Sequence, residues 1–133
     1  MENYIYYHYP TSSVCKVAEQ QAVYEKWPNV TKYLDALCLE NGSTVSGRRK
    51  AYQYKMKQKK FTPVFINKQL IYFPTSSSRD PHCVWINYTK IQTVQYQKKK
   101  CTIFFKDHTH IECQYPERIR NILQSIRQYQ QML

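Results

Sequence analysis

The chain has 133 residues, 20 of them lysine or arginine against 9 acidic ones, for a formal net charge of +11. That length supports one domain, residues 1–133, around a single modest core, and a hydrophobic share of 42% excludes a disordered chain. The charge excess points to polyanionic partners. The absence of an apolar run of about 18 residues argues against a membrane span.

Residues 3 to 9 (Asn-Tyr-Ile-Tyr-Tyr-His-Tyr) have strong strand propensity. Val14 to Val17 and Gln21 to Trp27 read as two further strands. Val30, Tyr33, Leu34, Leu37 and Cys38 fall at helical spacing and predict a helix of about 29–41, with Asn29 as N-cap and Asn41-Gly42 as the stop. Residues 49 to 57 alternate, placing Tyr52, Tyr54 and Met56 on one face and Gln53, Lys55 and Lys57 on the other, so a strand is expected there. Val64 to Ile66 and Leu70 to Phe73 read as a hairpin. Residues 91 to 97, 101 to 106 and 109 to 114 read as an antiparallel meander. Its apolar positions require Ile103 opposite Ile111, reached through an odd-length loop or a bulge. Pro116 and Glu117 open a C-terminal helix of about 116–131, with Ile119, Ile122, Leu123, Ile126 and Tyr129 as its apolar stripe. The fold class expected is α+β: a mostly antiparallel sheet, curled or partly closed toward a barrel, with one inserted helix and a C-terminal helix.

Seven basic residues lie between positions 48 and 60, and no acid occurs between Glu40 and Asp80. On a strand, Arg49, Lys55 and Lys57 would share a face near the spacing of backbone phosphates. The Pro74-Thr75-Ser76-Ser77-Ser78-Arg79 loop offers hydroxyls to phosphate oxygens and one guanidinium to a narrow minor groove. Trp85 and Ile86 read as core anchors. The five cysteines, Cys15, Cys38, Cys83, Cys101 and Cys113, are odd in number in a chain without a visible export signal, and read as reduced thiols in the cytoplasm. Cys101, His108, His110 and Cys113 do not have a usual structural-zinc spacing, so buried thiols are the expectation and no metal is assigned. There is no Gly-rich phosphate loop, no nucleophile elbow and no paired carboxylates on one element, so a binding protein without cofactor is expected, and not an enzyme.

Three ordered motifs carry a resemblance: Gly47-Arg48-Arg49-Lys50-Ala51, then Gln69-x-Ile71-x-Phe73-Pro74-Thr75-x-Ser77-x-Arg79, then Cys83-x-Trp85-Ile86. Together with the hairpin at 102–113 and the last helix, they resemble the competence transcription factor family, ComK, over most of residues 29 to 126. The resemblance implies a bacterial, cytoplasmic activator. It would bind AT-rich double-stranded DNA through the minor groove as a homodimer or higher oligomer, and would contact RNA polymerase. The residues expected at DNA are Arg48, Arg49, Lys50, Lys55, Lys57, Thr75, Ser76, Ser77, Arg79 and the Lys98, Lys99 and Lys100 turn. The family's tail segment for capture by a proteolytic adaptor has no counterpart after Leu133, so such capture is not expected. The alternative is an interaction module that dimerises with or antagonises a longer relative, without a DNA site of its own. A third reading, single-strand binding, would use Tyr52 and Tyr54 as stacking platforms.

Overall fold

The computed structural model describes residues Met1–Leu133. In chain order the elements are β1 (Tyr4–His8), β2 (Ser13–Ala18), β3 (Gln21–Lys26), α1 (Val30–Glu40), α2 (Val45–Met56), β4 (Val64–Asn67), β5 (Leu70–Pro74), β6 (Val84–Asn87), β7 (Ile91–Tyr96), β8 (Lys100–Phe105), β9 (His110–Gln114) and α3 (Pro116–Gln131). The strands form two antiparallel sheets. One has six strands in the order β3-β2-β1-β6-β5-β4, and the other three in the order β7-β8-β9. The α+β class holds, and neither sheet closes into a barrel.

The six-stranded sheet is covered on both faces, and strand periodicity decides which side chain goes where. Ile71 and Phe73 of β5, Ile86 of β6 and Phe65 of β4 face a core shared with the three-stranded sheet and with Ile119, Ile122, Ile126 and Tyr129 of α3. Tyr72, Trp85, Val64 and Ile66 face the other way, onto Val30, Tyr33, Leu34 and Cys38 of α1. Trp85 and Ile86 are thus anchors of two different cores. The meander has the expected register, with Ile103 opposite Ile111 and Cys101 opposite Cys113. Between the strands, the Phe105 N–H donates to the Thr109 carbonyl, closing an odd-length loop with His108 in the left-handed region.

One expectation is overturned. Residues 45–56 form a helix, α2, and not a strand. Thr44 caps it by accepting from the Gly47 N–H at 2.9 Å. A Cβ at position 47 would stand 3.1 Å from that hydroxyl, which explains a glycine inside a helix. α2 lies along β4 and straddles the boundary between the cores: Val45 enters one and Tyr52 the other. The Tyr52 ring stacks on Phe65 and meets Tyr129 at a tilt, and its hydroxyl bonds to Ser125. Tyr54, expected on the same face as Tyr52, is instead 83% exposed.

Asp107 ties the two sheets together. One carboxylate oxygen accepts from the Asn3 amide and from the Glu19 backbone N–H, both at 2.7 Å, while the other accepts from Thr109. A second buried junction forms where Tyr33 of α1 and Tyr72 of β5 both donate to Glu2 Oε1, at 2.7 and 2.8 Å. Burial works to raise the Glu2 pKa, but these two donors and the Lys16 charge leave it below the ordinary carboxylate value.

Candidate nucleic-acid interface

A helical α2 redistributes the cations that the sequence had placed on one strand face. At about 100° per residue, Arg49, Gln53 and Lys57 remain together on one side of the helix and Lys50 joins them. Lys55 stands about 140° around from Lys50, away from that side. Arg48 is turned inward: its Nε donates to Ser43 Oγ at 2.8 Å and a terminal nitrogen reaches the Ile66 carbonyl at 3.5 Å. Its guanidinium is committed to the β4 end of the molecule.

The retained group borders two adjoining grooves. The first, about 440 Å³, lies between α1 and α2, with Lys32, Arg49 and Lys50 on its walls. Its one acid, Asp35, already accepts from the Val45 N–H at 2.9 Å, and Arg49 Nε is buried there without a partner. The second, about 620 Å³, is lined by Lys50, Gln53, Tyr54, Lys57 and Lys59. Lys50 and Gln53 belong to both, so the cationic strip is continuous along the open side of α2.

Lys57 stops α2 in the left-handed conformation, and the chain runs through Lys59 and Lys60 to Phe61. Here a junction forms that sequence reading did not find. The Arg118 guanidinium lies over the Phe61 ring at 4.2 Å and over the Tyr115 ring at 4.3 Å, and it donates to the Thr75 carbonyl at 3.3 Å. Tyr115 also lines a cleft of about 670 Å³ with Lys98, Lys99 and Lys100. Arg118 therefore joins Phe61, at the end of the 57–61 segment, to Thr75, at the start of the 75–79 loop, and Tyr115 beneath its guanidinium borders the 98–100 turn. One signal was present: a cation in the first turn of a helix opposes the helix dipole and calls for another reason to be there.

The 75–83 loop is held by its own hydrogen bonds. The Thr75 hydroxyl and N–H both donate to the Val84 carbonyl, at 2.8 and 2.9 Å. The Asp80 N–H donates to the Ser77 carbonyl at 2.9 Å, and the Cys83 N–H to the Asp80 carbonyl at 3.1 Å. The His82 N–H donates to the Asp80 side chain at 2.9 Å; this and a bond from Ser76 lower the Asp80 pKa. Thr75 and Ser76 thus brace the loop, while Ser77, Ser78 and Arg79 form its exposed tip. Arg79 has no ion-pair partner. The Lys98-Lys99 turn is closed by the Gln97 N–H donating to the Lys100 carbonyl at 2.8 Å, and Lys100 pairs with Glu112 at 3.3 Å.

All five cysteines are free and buried. Burial raises the Cys83 and Cys101 pKa values, and burial with the neighbouring Cys101 pushes Cys113 up to about 12, which keeps these thiols protonated. His108 and His110 lie at the surface, away from the two core-facing cysteines. No helix is long and apolar enough to cross a membrane.

The structure is an antiparallel α+β domain that carries a braced Ser/Arg loop and a cationic strip along α2. A sequence model of the ComK protein family matches residues 4–131, and the chain belongs to that family. The family is one of competence-type transcription regulators and is not enzymatic. No curated protein and no solved structure matches the chain.

Proposed function

We propose that this protein is a cytoplasmic transcription activator that binds AT-rich duplex DNA as a homodimer, with Arg79 entering the minor groove. The observation that carries the reading is the Arg118 junction, which holds Phe61 of the 57–61 segment against Thr75 of the 75–79 loop, with Tyr115 bordering the 98–100 turn. AT tracts narrow the minor groove and deepen its negative potential, which favours an inserted guanidinium held on a rigid loop. Ser77 and Ser78 donate to phosphates beside it. Arg49, Lys50, Lys57 and the Lys98 and Lys99 turn neutralise backbone charge without reading sequence. Contact with RNA polymerase is made from a face that DNA leaves open. Salt titration tests the backbone part. Affinity for an AT-rich duplex falls with a log–log slope of about −0.9 per phosphate neutralised, and Lys57→Ala makes that slope shallower by about one while weakening AT-rich and mixed duplexes alike. A salt-independent affinity contradicts the reading.

A further inference from the structure

A second basic concavity beside α3 lies away from the Arg118 junction. It is a cleft of about 660 Å³ between β7 and α3. Its floor is apolar, made by half-buried Ile91, Val94 and Tyr96 of β7 and Leu123 of α3. Lys106, Arg120 and Arg127 stand on its walls, and no acidic residue lines it. Arg120 lies over Tyr96 at 4.4 Å and shares its charge with Glu117, whereas Lys106 and Arg127 have no ion-pair partner. β7 is an edge strand, so the backbone groups that do not face β8 are open to the cleft side. A bulge at Gln92 interrupts the edge, leaving Thr93 to Tyr96 as the straight portion.

We propose that this cleft docks an extended acidic segment of a partner protein, which adds to β7 and places its carboxylates against Lys106 and Arg127. Three features select that occupant. The exposed edge supplies main-chain hydrogen bonds, and the apolar floor takes every second side chain of an added strand. The unopposed cations demand an anionic chain. A nucleic-acid backbone has no use for the apolar floor, and a second copy of this chain would bring the same cations face to face. The cleft is therefore an interaction surface distinct from the interface proposed for DNA.

The test is fluorescence anisotropy on the whole chain with two labelled peptides of about eight residues, one alternating Glu with Leu and the other Lys with Leu. The acidic peptide binds with salt-sensitive affinity, and its lysine counterpart binds at least about tenfold more weakly. Lys106→Glu/Arg127→Glu, with a melting temperature matching the parent, loses about tenfold in peptide affinity and keeps the AT-rich preference of its duplex binding. Gln124→Glu, which adds one negative charge to the wall, weakens the peptide in the same direction. The proposal is overturned if the acidic peptide does not bind, if the double variant binds it like the parent, or if duplex DNA displaces it.

Discussion

Arg48 and Arg79 carry the same charge and both lie in the acid-free stretch between Glu40 and Asp80, yet their surroundings give them opposite roles. Arg48 is spent on Ser43 and the Ile66 carbonyl. Arg48→Met removes those bonds, lowers stability by about 1 kcal/mol in urea unfolding, and leaves duplex affinity close to that of the parent. Arg79 is exposed with no ion-pair partner. Arg79→Ala leaves stability unchanged and reduces the preference for AT-rich over mixed duplex, read by competition binding. If Arg48→Met damages DNA binding more than Arg79→Ala, the division of roles drawn from their contacts is wrong. The cations and hydroxyls of the site were legible in the sequence because charge and side-chain chemistry need no fold. Which of them are occupied was not legible. The partners of Arg48, Thr75 and Arg118 are set by contacts between residues distant in the chain, as between Arg118 and Thr75, 43 residues apart.

At the scale of elements, α1, α3 and the meander could be read directly, because each buries one face in one core and its apolar positions keep a single period. α2 could not. Its buried residues are divided between two cores, Val45 on one side and Tyr52 on the other, so no single apolar stripe exists. The Tyr52, Tyr54 and Met56 spacing then mimicked a strand. The decisive local signal was the cap. Thr44→Ala leaves the Gly47 N–H without its side-chain acceptor and costs about 1 kcal/mol, measured as a lower urea midpoint. An unchanged midpoint would show that α2 is held by Tyr52 packing alone. The change from strand to helix also alters the site: it removes Lys55 from the shared face, brings Lys50 and Lys32 of α1 to it, and commits Arg48 to Ser43.

For the molecule as a whole, the two sheets must hold a fixed relation if the 98–100 turn is to stay beside the 75–79 loop. Asp107 contributes to that relation through Asn3 and Glu19. Burial works to raise its pKa, but the bonds from Thr109, Asn3 and Glu19 outweigh this and hold it at about 2, below the ordinary value of 3.8. A carboxylate with a depressed folded pKa stabilises the fold above its unfolded pKa, and that contribution is lost as pH falls through the folded value. Asp107→Asn therefore lowers the melting temperature at pH 7, by a loss of about 1 kcal/mol once solvent screening of this partly exposed carboxylate is counted, and the difference from the parent shrinks between about pH 4 and pH 2. A difference that does not change with pH contradicts the role given to its charge. The two-sheet architecture was only partly legible: β6 was read only through Trp85 and Ile86 as core anchors, 49–57 was read as a strand, and the division into sheets of six and three depends on which edges pair, which alternation alone does not state. The central claim is that the basic strip and the Arg79 loop form one face for an AT-rich double helix. Selection of bound sites from random duplex DNA at moderate salt tests it most directly. The account predicts enrichment of AT-rich tracts, lost in Arg79→Ala, and recovery of unenriched sequences by the parent protein would contradict it.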